Sequence, residues 1–108
     1  MHSNSYGGDT NAYESLAVTV DDFMWNRKDV LLVVAAGNSG GSGTNTVYYP
    51  ATAKNVVSVG NLQSSRSSGN PLLISSTSSL GPAADNRIKP DIVVIGTNVV
   101  STKSTVIS

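Results

Sequence analysis

Hydrophobic and polar residues in the first part of the chain follow a helical period and then form an unbroken apolar run. Residues 31–36 are all apolar, and small and polar residues follow at once from Gly37 to Gly40. A run of this kind is typical of a buried strand in a parallel sheet. Between residues 11 and 27, apolar side chains recur at helical spacing on one face; they are Tyr13, Leu16, Ala17, Val20, Phe23 and Met24. The pattern predicts an amphipathic helix followed by a buried strand.

A short strand over residues 3–6 is expected to precede this helix. It ends in Gly7-Gly8, a pair suited to a tight turn. Asn11 and Glu14 have the spacing of a capping box, so we expect Asn11 or a residue just before it to cap the helix. A strand, a helix and a second strand form a βαβ unit, in which the two strands are parallel and the crossover is right-handed.

The later apolar runs predict further strands of the same sheet. Residues 56–60 and 92–95 are rich in β-branched residues, and Val99-Val100 predicts one more short strand. Between the first two runs, residues 63–79 are rich in serine around the apolar residues 72–74, which indicates a surface hairpin or excursion. The chain is therefore expected to form an α/β fold with a mainly parallel sheet.

Asn38 is the residue with candidate chemistry, because it stands where the buried apolar run ends. In open α/β sheets ligands bind outside the carboxyl ends of the strands, so its side-chain NH₂ is a candidate donor to a developing negative charge. The alternative is a turn residue, since Asn tolerates left-handed backbone geometry. The glycines at 37, 40, 41 and 43 match neither phosphate-binding glycine pattern, which disfavours a nucleotide-binding domain.

Four sequence blocks follow one another along the chain. They are Ser3-Asn4-Ser5-Tyr6-Gly7-Gly8, Ala35-Ala36-Gly37-Asn38-Ser39-Gly40, the block from Tyr49-Pro50-Ala51-Thr52-Ala53 to Gly60, and Ser79-Leu80-Gly81-Pro82 together with Arg87-Ile88-Lys89-Pro90-Asp91-Ile92. In this order they resemble the subtilisin-like serine peptidases, and four ordered blocks are far more specific than any one of them. The resemblance implies a three-layer αβα fold and a serine endopeptidase that cleaves peptide or protein substrates without an organic cofactor.

The resemblance also assigns roles to the residues around Asn38. It implies that Asn38 is the oxyanion-hole donor and that other matching residues form the pocket for the P1 side chain of the substrate. Those residues are Ser5, Tyr6 and Gly7 in one wall, Ala35, Ala36 and Gly37 in the other, and Tyr48 at the floor. For the first wall, a strand-to-helix turn without a ligand is the alternative. The Tyr49–Pro50 bond resembles a cis bond of the family, although the sequence alone predicts trans.

Some members of this family bind a weakly held calcium or alkali ion near the Pro-Asp block. The resemblance implies that the matching ligands here are Asp91 and the backbone carbonyls of Ala51, Ala53 and Val56. One carboxylate and several carbonyl oxygens suit a hard cation. The alternative is that Asp91 only accepts local hydrogen bonds.

The motifs that carry the catalytic Asp, His and Ser in the family have no match in residues 1–108, and the only histidine, His2, stands where the family has an ordinary strand residue. We therefore expect residues 1–108 to be the central part of a peptidase domain, inactive alone, with the remaining segments of that domain as partners. Missing neighbours would leave sheet edges and an apolar sheet face uncovered, so marginal stability or association is expected. A non-catalytic peptide-binding pseudopeptidase and a purely structural fragment are the alternatives.

Composition narrows the remaining choices of partner. With 39% hydrophobic residues, 13% charged residues and no net charge, nothing favours nucleic acid or an anionic membrane. The absence of cysteine excludes disulfides and thiolate metal sites. No apolar run approaches the roughly 18 residues of a membrane span, and a secreted location rests on the resemblance alone. The adjacent Asp21 and Asp22 are expected to form a solvated face rather than a metal site, because neighbouring helical positions do not point at one ion.

Overall fold

A computed structural model describes residues 1–68 and 70–102, which form a four-stranded parallel sheet with a helix packed on one face. The strands lie side by side in chain order: β1 (His2–Asn4), β2 (Leu32–Ala35), β3 (Val57–Leu62) and β4 (Ile92–Ile95). Helix α1 (Ser15–Asn26) connects β1 and β2, and the later connections contain a 3₁₀ turn (Gly40–Ser42) and the one-turn helix α2 (Ser65–Ser68). The predicted α/β class and parallel sheet are confirmed.

All neighbouring strands in this sheet are parallel. Ser3 pairs with Val33, and Val33 in turn pairs with Val57. Val59 pairs with Ile92 at the other edge. Since parallel neighbours end at the same edge of a sheet, the segments that follow β1 and β2 are brought close together.

One face of β2 packs against α1 and forms the core. Val34 is fully buried and Leu32 is nearly so, and both lie in one cluster with Ala17 and Met24 of α1. The other buried members of this cluster come from the end of β2 and from the segment between β2 and β3; they are Ala36, Val47, Ala51, Ala53 and Val56. The core thus fixes the end of β2 and the segment that follows it.

The opposite sheet face is open in the part of the chain that the structure describes. Val33, Val59 and Val94 line a broad pocket of about 470 Å³ on this face. The residues of β4 are 40–49% exposed, although all of them are apolar. This agrees with the expectation of an uncovered apolar sheet face.

The start of α1 differs from the prediction, because the helix begins at Ser15. Asn11 does not cap it: its side-chain nitrogen donates to the carbonyl of Val47 at 2.8 Å and to that of Pro82 at 3.2 Å. Glu14 is the N-cap and makes no side-chain capping hydrogen bond. The capping-box prediction is therefore wrong, since Asn11 ties the chain before the helix to two distant segments.

The predicted solvent position of Asp21 is also wrong. This carboxylate is 8% exposed and accepts hydrogen bonds from the Tyr13 hydroxyl at 2.6 Å and from the backbone nitrogens of Lys54 and Asn55 at 2.9 and 2.6 Å. Its hydrogen bond with Tyr13 raises the pKa of the phenol. A buried carboxylate is tolerated when several donors satisfy it, so Asp21 anchors the segment before β3 to the helix. Asp22 is exposed, as expected.

The last predicted strands have different outcomes. β4 spans Ile92–Ile95, as the apolar run predicts. Val99 and Val100 are 60% and 69% exposed and form no strand, because no described strand lies beside them to pair with. None of the described helices combines the length and apolar character that crossing a membrane requires.

The serine-rich segment after β3 is a surface excursion, as predicted. The Gln63 nitrogen donates to the Leu73 carbonyl at 2.8 Å, and the Ser75 nitrogen donates to the Asn61 carbonyl at 2.9 Å. The returning chain therefore runs antiparallel to the end of β3. This return brings residues 75–79 next to the turn that follows β2.

Candidate active site

A cleft of about 340 Å³ opens beyond the carboxyl ends of β1 and β2. Asn38 lines it, together with all the residues that the resemblance assigned to the P1 pocket: Ser5, Tyr6, Gly7, Ala35, Ala36, Gly37 and Tyr48. These residues come from three separate parts of the sequence. The parallel sheet brings the segments after β1 and β2 to one edge. Hydrogen bonds between Tyr49 and the segment after β1 then place Tyr48 beside them.

The first side of the cleft is the segment after β1, which packs against Tyr49. The Gly8 nitrogen donates to the Tyr49 carbonyl at 2.9 Å. A Cβ atom on Gly7 would lie 2.8 Å from that carbonyl oxygen, and one on Gly8 would lie 2.0 Å from the Tyr49 ring, so side chains do not fit here. The Tyr49–Pro50 bond is cis, so the trans prediction is wrong. X–Pro bonds prefer trans by only about 0.5–1 kcal/mol, which the surroundings of the bond can outweigh.

The second side of the cleft ends in a turn that leaves the Asn38 side chain exposed. Gly37 takes a φ of 116°, a conformation that residues with a Cβ rarely adopt. Asn38 itself has no positive φ, so left-handed geometry does not explain an asparagine here. Within residues 1–68 and 70–102, the Asn38 amide has no hydrogen-bond partner, and it lines the cleft. Its NH₂ group is therefore available to a ligand.

The backbone on both sides of this exposed amide is held by residues 75–79. The Ser79 nitrogen donates to the Gly37 carbonyl at 3.0 Å, and the Ser79 Oγ accepts from the Ser39 nitrogen at 3.0 Å. The Gly40 nitrogen donates to the Thr77 carbonyl at 3.2 Å. The turn is thus anchored before and after its central residue.

Other residues line the cleft that the sequence analysis did not assign: Gly8, Asp9 and Ser39. Gly8 and Asp9 continue the segment that ends at Gly7, and Ser39 follows Asn38, so adjacency was the signal that could have found them. Asp9 is exposed and places a carboxyl group at the cleft. His2 lies elsewhere, since it begins β1 while the cleft lies beyond the other end of that strand, and its Nε2 is 2.9 Å from the Asn4 Oδ1.

The carboxylate of Asp91, the residue assigned to a cation site, already has donors within the chain. Its Oδ2 accepts hydrogen bonds from the Ser58 nitrogen, the Ser58 Oγ and the Lys89 Nζ, each at 2.7 Å. Burial opposes ionisation, but the Lys89 and Ser58 hydrogen bonds outweigh it and hold the pKa of Asp91 below its usual value. The Lys89 side chain is only 4% exposed.

These donors fit a bound cation poorly, because the Lys89 ammonium already supplies a positive charge at Asp91. No group of three or more His, Cys, Asp or Glu residues suited to a metal occurs in the described part of the chain. The local hydrogen bonding that was the alternative at Asp91 is present, and a cation held with the carbonyls of Ala51, Ala53 and Val56 stays a prediction.

Comparisons with known proteins agree with this geometry. The model of the subtilase family of peptidases matches residues 1–108. The serine protease AprX of Bacillus subtilis (strain 168) is 34% identical over an alignment 107 residues long, and the alignment covers 94% of this chain and 24% of AprX. The chain therefore spans about a quarter of the length of this curated relative.

A solved structure shares the fold. The prenylagaramide maturation protease PagA aligns with a TM-score of 0.62 at 24% sequence identity, over 94% of this chain and 33% of PagA. The family match covers the whole chain, and the parallel sheet and the cleft at its carboxyl edge accord with it. The chain belongs to the subtilase family of serine peptidases.

Proposed function

We propose that residues 1–108 form the substrate-binding and oxyanion-stabilising part of a serine endopeptidase domain, with Asn38 as the oxyanion donor. The observation that carries this proposal is the exposed Asn38 amide, which lines the cleft without a hydrogen-bond partner among the described residues while its neighbours are anchored. An amide that is unpaired before the reaction, on a backbone anchored at both sides, supports a role in stabilising charge in a transition state.

In the proposed mechanism a serine hydroxyl attacks the scissile carbonyl, and the carbonyl oxygen gains negative charge as the tetrahedral intermediate forms. The Asn38 Nδ2 donates a hydrogen bond to that oxygen. The serine, together with a histidine base and the aspartate that orients it, would come from other segments of the domain. On their own, residues 1–108 would therefore bind a peptide without hydrolysing it.

The cleft suits an extended peptide. Gly7 and Gly37 leave its walls without side chains at two points, so a substrate can approach the backbone there. Ala35 adds only a methyl group, whereas Ala36 packs its side chain into the core and offers its backbone. Tyr48 also lines the cleft. In this proposal its ring forms the floor of the P1 pocket and shortens that pocket.

The test is Asn38→Ala in the complete peptidase that contains these residues. We expect kcat to fall by ~10²–10³, the size known for an oxyanion donor of subtilisin itself, with little change in KM. Asn26→Ala is the control, because Asn26 bonds only to Asp22 on the exposed surface of α1. An unchanged kcat in Asn38→Ala would contradict the proposal.

A fluorophosphonate probe separates the enzyme from the non-catalytic alternative. It labels an activated serine, so the complete protein should react with it. A protein that binds extended peptides but does not react would instead be a pseudopeptidase. A structural fragment would neither bind peptides nor react.

A further inference from the structure

Ser79 contacts both peptide units that flank Asn38, although it does not itself line the cleft. We propose that Ser79 is a positioning residue for the oxyanion donor, an inference that rests on the function proposed above. Ser79 belongs to the fourth sequence block. Neither the P1-pocket assignment nor the cation hypothesis gave Ser79 a role.

The contacts of Ser79 use both its backbone and its side chain. Its nitrogen donates to the Gly37 carbonyl at 3.0 Å, and its Oγ accepts from the Ser39 nitrogen at 3.0 Å. A Cβ atom on Gly37 would lie 2.7 Å from this Oγ, so the close approach requires glycine. One residue, 40 positions away in sequence from Ser39, thus fixes the carbonyl before Asn38 and the nitrogen after it.

Ser79 can act as a fixed point because the chain around it is anchored. It is 0% exposed. On its carboxyl side, the Leu80 nitrogen donates to the Thr46 Oγ1 at 2.9 Å, and the Thr46 nitrogen donates to the Leu80 carbonyl at 2.8 Å. On its amino side, the Ser78 Oγ accepts from the Asn61 nitrogen of β3 at 2.9 Å. The position of Ser79 is therefore tied to the sheet.

Removing the Ser79 hydroxyl should loosen the donor without removing it. The Ser39 nitrogen would lose its acceptor, and the Asn38 amide would spend less time aimed at the oxyanion. Misplacement of a catalytic group lowers turnover strongly, but the loss cannot exceed that from deleting the group. We expect Ser79→Ala to lower kcat roughly tenfold at nearly constant KM.

Ser58→Ala is the matched control. Ser58 is a serine of β3 that is 0% exposed, like Ser79, but its hydroxyl bonds to Asp91 rather than to the turn at Asn38. Its substitution should lower stability at least as much as Ser79→Ala does and leave kcat within about twofold. Ser79→Cys, which keeps a weak acceptor, should recover part of the lost activity and serves if Ser79→Ala does not fold.

A double-mutant cycle in the complete peptidase is the decisive experiment. If Ser79 acts through Asn38, Ser79→Ala should have almost no effect on kcat once Asn38 is alanine. In the background that keeps Asn38, Ser79→Ala should also increase backbone amide hydrogen exchange in a peptide that covers residues 37–39. An unchanged kcat in Asn38→Ala would overturn the proposed function. A full effect of Asn38→Ala, combined with a Ser79→Ala effect that is absent, equal to that of Ser58→Ala, or undiminished in the Asn38→Ala background, would overturn the Ser79 proposal alone.

Discussion

The turn at the carboxyl end of β2 is held by other described residues, whereas the open face of the sheet is not covered by any described segment. At the end of the strand, hydrogen bonds from residues 75–79 anchor the turn before and after Asn38. On the open face, Val33, Val59 and Val94 line a pocket of about 470 Å³ that no described segment covers. Strand β2 thus contributes to an uncovered sheet face and also ends at a cleft whose turn is anchored by hydrogen bonds.

This difference separates local site geometry from overall stability. The cleft is held by hydrogen bonds and close backbone contacts among the described residues, so we expect its shape to depend little on the open face. The sheet depends on apolar burial, and burial contributes about 25 cal/mol per Å² of apolar surface. A face left in water loses that contribution. We therefore expect the two regions to respond differently to substitution.

The largest expected effect concerns association of the 108-residue chain. Because β4 is apolar and 40–49% exposed, the isolated chain should self-associate through the open face. Val94→Lys should shift sedimentation toward the monomer by adding a charge to this face. Leu72→Lys is the control, since Leu72 is 81% exposed in the excursion after β3. A monomeric wild-type chain with a sharp cooperative melt would contradict the expectation.

The next effect concerns the anchored turn, where two adjacent glycines differ sharply. A Cβ atom on Gly40 would lie 2.1 Å from the Ser78 carbonyl oxygen, whereas one on Gly41 would meet nothing within 4 Å. Gly40→Ala should therefore lower the free energy of unfolding by about 1–3 kcal/mol and, in the complete peptidase, reduce peptide hydrolysis. Gly41→Ala should stay within about 0.5 kcal/mol. Denaturant unfolding of both variants measures this, and equal effects would mean that the turn is not held by residues 75–79.

The smallest effect concerns Asp91, which joins the start of β4 to β3. Its pKa is lower in the folded state than in the unfolded chain, so its contribution to stability is present above about pH 4 and is lost as pH falls through the folded pKa. Asp91→Asn should weaken the loss of stability below about pH 4. This is measured by thermal melts between pH 2 and pH 7, with Asp22→Asn as the exposed control.

The same melts test the cation prediction. Since the Lys89 ammonium already neutralises Asp91, a chelator or the exchange of one alkali ion for another should leave the melting temperature unchanged at neutral pH. A melting temperature that rises with added calcium or alkali ion would favour the cation site instead.

Local sequence predicted the four strands of the sheet, and the family resemblance assigned residues that line the cleft, but neither predicted the contacts that hold them. The apolar run before Gly37 indicates a strand because it is short and unbroken. The burial of Asp21 and the start of α1 were not predictable in this way, because the backbone groups that bond to the Asp21 and Asn11 side chains lie about 30 to 70 residues away. The contact between Ser79 and the turn at Asn38 could not be predicted from a local pattern either, because Ser79 and Ser39 are 40 residues apart in sequence.

The central claim is that Asn38 stabilises the tetrahedral state and not the bound peptide, and an inhibitor comparison tests it most directly. A peptide aldehyde forms a tetrahedral adduct with the catalytic serine, whereas the matching peptide alcohol only binds in the cleft. In the complete peptidase, we predict that Asn38→Ala weakens aldehyde binding by ~10²–10³ and changes alcohol binding less than about twofold. Equal weakening of both inhibitors, or of neither, would contradict the account.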